Sequence, residues 1–370
     1  MAGYDRFPAA RGTDEASSGV MTNQAHFGDE CRRPASRILP GFIFSIAAFS
    51  AGACAVEDEP AAPTPESGGS AGTGGSSGVP GGGSGGSSNA AVVGSFVLSV
   101  TPGAGTVADK VSVLGKVYDA ENPSNVVWLD GLSAGGCVLR TPKVPFCDPE
   151  CGDDVCVADG VCKAHATAVN VGKVRVRNVS TVDGSLDFEL TQVAFSYQVP
   201  GAVKLAYPPF AESDTVRFEA DGGSGSPFTL EAPALAPTAL TGDTPKLDRG
   251  QPFSVTWTPP SDPSRSVMRV LLNISHHGGT SGKIDCELPD SGSLTIPANL
   301  ITALVDVGVS GFPTVKLTRH TSGTTRTTWG VVSLDVESEY ERSIEITGIE
   351  SCNLPEDCAS GVCRDDRTCG

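Results

Sequence analysis

Eight of the twelve cysteines in this 370-residue chain fall into two clusters of matching spacing. Cys151-x4-Cys156-x5-Cys162 recurs as Cys358-x4-Cys363-x5-Cys369, and each cluster has one more cysteine upstream, Cys147 and Cys352. Val155 aligns with Val362, and Asp159 with Asp366. A spacing used twice predicts two small units, each too short to hold itself by a hydrophobic core and each closed by two disulfides. Four cysteines could instead close a tetrahedral zinc site, but zinc ribbons use C-x2-C knuckles and neither cluster contains one. Asp153, Asp154 and Asp159 lack the spacing of a calcium loop and read as a solvated turn. No metal or other cofactor is expected.

Disulfides require an oxidising compartment, and the N-terminal region supplies the address. Arg32, Arg33 and Arg37 precede a short apolar segment, 38–49, which Pro40 and Gly41 interrupt. Ser50, Ala51, Gly52 and Ala53 follow, and then Cys54. A positive region, a short apolar region and small residues make an export signal. A membrane span would need about 20 apolar residues. Pro34 and Ala35 are poor followers of a twin arginine, so the general secretory route is expected, with Met21 as the start of a signal of ordinary length. Cysteine after small residues, followed by a tether, resembles a bacterial lipoprotein signal, with Ala51 where that family prefers Leu. The resemblance implies that Cys54 is the lipidated first residue of the mature protein. Ala55 after it, rather than Asp, favours the outer membrane.

Residues 54–91 are a Gly/Ser/Pro tract without apolar periodicity. Such composition cannot offset the entropy of ordering and predicts a disordered tether, with a reach of roughly 35 Å. About 280 residues remain beyond it, enough for two domains. The net charge is −17, and the signal region adds nothing to it, since five Arg balance five acids before Cys54. A body this acidic is repelled by nucleic acid and anionic lipid.

The body reads as all-β. Val111, Val113 and Val117 alternate with Ser112, Leu114 and Lys116, and Val174 and Val176 alternate with Arg175 and Arg177. Asp183-Gly184 lies between that run and 186–190, which predicts a hairpin with a longer loop. Further strands are expected at 216–220 and 228–230. A second series follows a Pro- and Gly-bearing linker, at 253–258, 267–275, 293–296, 313–319, 329–336 and 343–347. One helix is predicted: after Pro297, Leu300, Ile301, Leu304 and Val305 fall at helical spacing, with Gly308 as a stop. Its apolar stripe is core. The expected architecture is two β-sandwich-like domains. They follow a signal region, 1–53, and the tether, 54–91. The first domain spans 92–236 and carries the cluster 147–162. The second spans 237–348, and the second cluster occupies 349–370.

Cys31 lies in the signal and Cys54 would carry lipid, so Cys137 and Cys286 are left over if both clusters close on themselves. Pairing the two would tie the first domain to the second. The alternative joins Cys137 to Cys147 and sends a cluster cysteine to Cys286.

The lipoprotein-like signal, the tether, and the clusters CDPECGDDVCVADGVC and CNLPEDCASGVCRDDRTC occur together with SVLGKVYD, NISHHGG and SGSLTIPANLI. In that combination the chain resembles a family of exported myxobacterial lipoproteins. The resemblance implies location and architecture and carries no activity.

Ser275-His276-His277-Gly278-Gly279 resembles the SHHGS element of metallo-β-lactamase-type hydrolases. A catalytic zinc needs about three protein ligands, and only His26, His165 and His320 exist elsewhere. The stretch is expected to be a polar strand end entering a glycine turn. Asp and Glu on strands could form a glycosidase pair, but alternation explains them as outward-facing. Trp128, Trp257 and Trp329 could stack on sugars, although sandwich cores commonly take one or two. The expected function is thus a structural or interaction lipoprotein of the cell envelope and not an enzyme. It would meet the membrane through its anchor and an envelope protein or glycan through its body. The second possibility is a carbohydrate-binding or adhesive module.

Overall fold

The computed structural model describes residues 91–103, 105–243, 245–279 and 281–370. The signal region, Cys54 and the tether up to residue 90 lie outside the described residues. The described residues all belong to one compact unit, and it is all-β with a single α-helix.

Numbered along the chain, the strands form five sheets. The largest has ten strands. One half of it runs in the order β3 (Val127–Ala134), β4 (Cys137–Lys143), β17 (Lys283–Pro289), β16 (Val267–Asn273) and β19 (Thr314–Arg326). The other half continues with β20 (Val331–Ser343), β1 (Val92–Thr101), β2 (Lys110–Val117), β10 (Ser196–Gln198) and β9 (Thr191–Val193). A four-stranded sheet is ordered β12 (Phe228–Pro233), β11 (Thr215–Ala220), β7 (Val174–Arg177) and β8 (Asp187–Glu189). A three-stranded sheet is ordered β13 (Leu240–Thr241), β15 (Phe253–Trp257) and β18 (Ser293–Ile296). Two short pairs complete the set, β14 (Lys246–Leu247) with β21 (Glu345–Ile346), and β5 (Val155–Ala158) with β6 (Val161–Lys163).

Period-two alternation decides which face each strand buries. In β11 and β12, Val216, Phe218, Ala220, Phe228, Leu230 and Ala232 point into a first core with Phe96, Tyr197 and Leu334. Phe96 meets Phe218 edge-on with centroids 5.6 Å apart. The glycine of SVLGKVYD makes room for that ring, since a Cβ on Gly115 would lie 2.2 Å from Phe96 Cδ1. The hairpin expected around Asp183-Gly184 is present, with Val176 opposite Phe188.

A second core gathers Phe253, Trp257, Met268, Val270, Leu272, Ile284 and the helix α1 (Ala298–Val307). The helix starts after Pro297, stops at Gly308 (φ 111°) and buries Leu300, Ile301 and Leu304, as its spacing predicts.

Neither core keeps to one side of the expected boundary at residue 236, since Leu334 joins the first core and Cys137 and Leu139 join the second, and the large sheet runs across it. β3 and β4, from the expected first domain, extend the sheet through β17 of the second, with Cys286 opposite Cys137. β1 pairs parallel with β20, Val97 opposite Asp335. β19 and β20 have 13 residues each, about 43 Å at the usual rise, so one hairpin is long enough to serve both cores. Leu317 and Tyr340 lie in the second core, while Val332, Leu334 and Val336 lie in the first. Alternation fixes a strand's face but not its partner, which is why the mixing was not readable.

The strand expected at 313–319 runs on to Arg326. Arg319 does not end it, because the guanidinium is only 1% exposed and its charge is met inside the protein. Arg319 Nε donates to Asp290 Oδ2 at 2.5 Å and Nη2 donates to Oδ1 at 3.2 Å. The remaining donors reach the carbonyls of Ala236, Pro237 and Thr258. Asp290, fully buried, also accepts from Trp257 Nε1 and Ser266 Oγ.

Candidate functional site

The structure joins Cys147 to Cys156 and Cys151 to Cys162. It joins Cys352 to Cys363 and Cys358 to Cys369. Both clusters thus link first to third and second to fourth. Sulfurs of Cys147, Cys151 and Cys156 lie within 4.8 Å of one another, as do those of Cys352, Cys358 and Cys363. Adjacent disulfides account for that closeness, and an oxidised sulfur offers no thiolate to a metal. Cys137 and Cys286 are joined across β4 and β17 with Cα atoms 4.0 Å apart. Cys54 lies outside the described residues.

The rings of His276 and His277 have centroids 4.0 Å apart and are tilted by 59°. His277 is exposed, with φ 61°. Among the described residues no third ligand joins them. The glycine of this element has a packing role: a Cβ on Gly278 would fall 2.2 Å from Gly311 N. On Gly311 the C-terminal cluster docks in turn, through Gly311 N–H to Asp366 O (2.7 Å) and Ser351 Oγ to Gly311 O (2.6 Å). The tryptophans separate into different settings. Trp257 is core, Trp329 packs beside the first core, and Trp128 is half-buried with Lys283 Nζ 4.1 Å from its ring centroid.

The residues that converge on one concavity are those left facing outward by alternation. Across β4, β17, β16, β19 and β20 the solvent face of the large sheet forms an open cleft of about 530 Å³. It is lined by Val138, Arg140, Arg269, Leu271, Asp285, Glu287, Lys316, Thr318, Glu337 and Glu339. Registers bring them side by side: Arg269 lies opposite both Glu287 and Thr318, and Thr318 lies opposite Glu339. Arg140 pairs with Asp285 at 3.2 Å, Arg269 with Glu287 at 3.1 Å, and Lys316 with Glu339 at 2.9 Å. Lys283 bonds Asp285 at 3.1 Å while lying over Trp128, which places that ring beside the cleft.

At the cleft's rim His320 Nε2 lies 3.1 Å from Asp335 Oδ1, and Ser333 Oγ donates to the other carboxylate oxygen at 2.7 Å. Burial pushes the Asp335 carboxyl up, but bonds from His320 and Ser333 outweigh it and hold it below the ordinary value. Glu337 is the opposite case. Burial, with Glu339 and Asp335 nearby, pushes it up, and His320 and Arg269 only partly offset this. A carboxyl whose folded value is raised destabilises the fold above that value and ceases to do so as pH falls through it. Glu337→Gln is therefore expected to raise the thermal midpoint at neutral pH. The gain should shrink as pH falls towards the ordinary glutamate value of 4.5. A midpoint that is lowered, or a gain that persists in acid, would contradict this.

Sequence reading took Asp and Glu on strands as outward-facing, but neither of its strand series included β4 or β17, and its strand at 329–336 ended short of Glu337 and Glu339. The meeting of five strands from both halves of the chain was therefore not legible. No protein-family model and no curated protein matches this chain.

Proposed function

We propose that this chain is a lipid-anchored interaction protein of the cell envelope, on the extracytoplasmic side and at the outer membrane, acting by binding and not by catalysis. The cleft on the large sheet is its contact site. The supporting observation is that this mixed-charge cleft lies on one continuous sheet, stapled by a disulfide at its β4–β17 seam. Rigid placement of polar groups lowers the ordering cost of binding. Among the described residues no helix is long and apolar enough to cross a membrane. In this reading the attachment comes from Cys54, as the resemblance to exported myxobacterial lipoproteins implies.

Growth with a labelled fatty acid should tag the protein, and Cys54→Ser should abolish the label. Persistent labelling of that variant would refute the anchor. The contact site is tested on a glycan array and an array of purified envelope proteins, with wild-type protein and Arg269→Glu/Lys316→Glu. Binding that survives both charge reversals would move the site elsewhere. A carbohydrate ligand is the second reading, favoured by Trp128 beside the cleft. Glycan binding unaffected by Trp128→Ala would count against sugar stacking.

A further inference from the structure

We propose that the cleft binds an organic ammonium group against Glu337, with a hydrogen-bonding group of the same ligand on Thr318. The proposal rests on reading the cleft as the contact site and names the chemistry it selects.

Three cations and four carboxylates line the cleft. Within the cleft Arg140, Arg269 and Lys316 are bonded to Asp285, Glu287 and Glu339 respectively, and Arg140 also holds Asp130 at 2.9 Å. Glu337 is left over, half-buried, with no bonded partner among the described residues. A second polar group is also unengaged. Thr318 is 7% exposed and lines the same cleft, and its hydroxyl has no partner among the described residues. It stands one strand from Glu337, whose direct opposite on β19 is the neighbouring outward residue, His320. Among the described residues the sealed side-chain atoms without a partner are Thr238 Oγ1 and Ser310 Oγ. The Thr318 hydroxyl and the Glu337 carboxylate instead open on the cleft, where a ligand group can take the place of water. Two such groups in one cavity define complementary ligand atoms, a cation for the carboxylate and a donor or acceptor for the hydroxyl. Val138 and Leu271 offer apolar contact to the ligand body. A volume of about 530 Å³ falls in the range of small-ligand sites, about 300–1,000 Å³.

An amino sugar and a lysine side chain both carry this chemistry. Calorimetric titration of the full-length protein with a glucosamine dimer and with N-acetyl-lysine amide separates them. At least one should bind, and the one that does names the source. Glu337→Gln should weaken that binding about tenfold to a hundredfold, as for a hydrogen bond to a charged group. Thr318→Val should weaken it about threefold to tenfold. Lys316→Gln, which releases Glu339, should tighten it. Glu231→Gln on β12, outside the cleft, should leave it unchanged. Because Glu337→Gln is expected to stabilise the fold, lost binding cannot be assigned to unfolding.

Failure of both amines to bind at millimolar concentration overturns the assignment. So does binding that Glu337→Gln leaves intact, or binding that Glu231→Gln weakens equally, which would mark attraction by net charge alone. A neutral oligosaccharide that binds and is lost with Arg269→Glu/Lys316→Glu would keep the cleft as the contact site while refuting the ammonium. If no array ligand depends on those two residues, both readings fall.

Discussion

Replacing Cys137 and Cys286 together by alanine is expected to lower the unfolding free energy by about 5 kcal/mol. The bond closes a sequence separation of 149 residues, and the entropy it removes from the unfolded chain grows with the logarithm of that length. The four cluster disulfides close separations of only 9 to 11 residues, for which the same relation gives about 3 kcal/mol each. The two cysteines lie opposite each other in the β4–β17 register. Both are almost fully buried in the second core. Urea denaturation of the oxidised double variant and parent measures the difference. The midpoint should fall sharply and the slope should rise as the unfolded chain expands. A change below about 1 kcal/mol would show that the seam is held by β pairing alone and that the unfolded chain is compact without the bond.

The second large effect is expected at Asp290. Removing one partner of a buried ion pair leaves an uncompensated charge, at a cost of about 3–5 kcal/mol. Asp290→Ala strands Arg319 at 1% exposure. It also removes the acceptor of Trp257 Nε1 (2.7 Å) and Ser266 Oγ (2.8 Å). Asp290→Leu/Arg319→Met replaces both charges by apolar groups and should cost less than Asp290→Ala alone, because desolvation is then no longer unpaid. The guanidinium also holds the carbonyls of Ala236 and Pro237, so the double variant should still loosen the segment between the two cores. Amide exchange at Thr238 and Ala239, together with denaturation of the three variants, checks this. A double variant less stable than Asp290→Ala would refute the argument.

Arg319 also shows where sequence reading reached its limit. Val315, Leu317 and Arg319 alternate to the inside of β19, so the sequence did place a charge at an inward position. It could not supply Asp290, which lies beyond the end of β17 and reaches Arg319 only after the sheet is assembled. The cysteine repeat was legible because spacing is a local property, and so was the helix of Leu300, Ile301 and Leu304, whose stripe and stop lie within one segment. The hairpin between Val176 and Phe188 was legible for the same reason. The parallel partnership of β1 with β20 joins residues over 200 positions apart, and neither strand's alternation distinguishes one neighbour from another. The cleft inherits that limit. Glu337 lies just beyond the strand expected at 329–336, and its lack of a partner among the described residues depends on which cations five strands bring to the others.

The long hairpin and the position of β1 bear on how this body would respond to force. The chain enters the body through β1, which is hydrogen-bonded on one flank to β2 and on the other to β20. Tension arriving from an anchored N-terminus would run along the axis of an interior strand and load both ladders in shear. Their bonds would have to break together, whereas an edge strand would peel one bond at a time. From β20 the load passes across the β19 pairing into β16 and β17, the strands that floor the cleft. Drag on a ligand held there would be carried through the sheet to β1, one continuous set of ladders among the described residues.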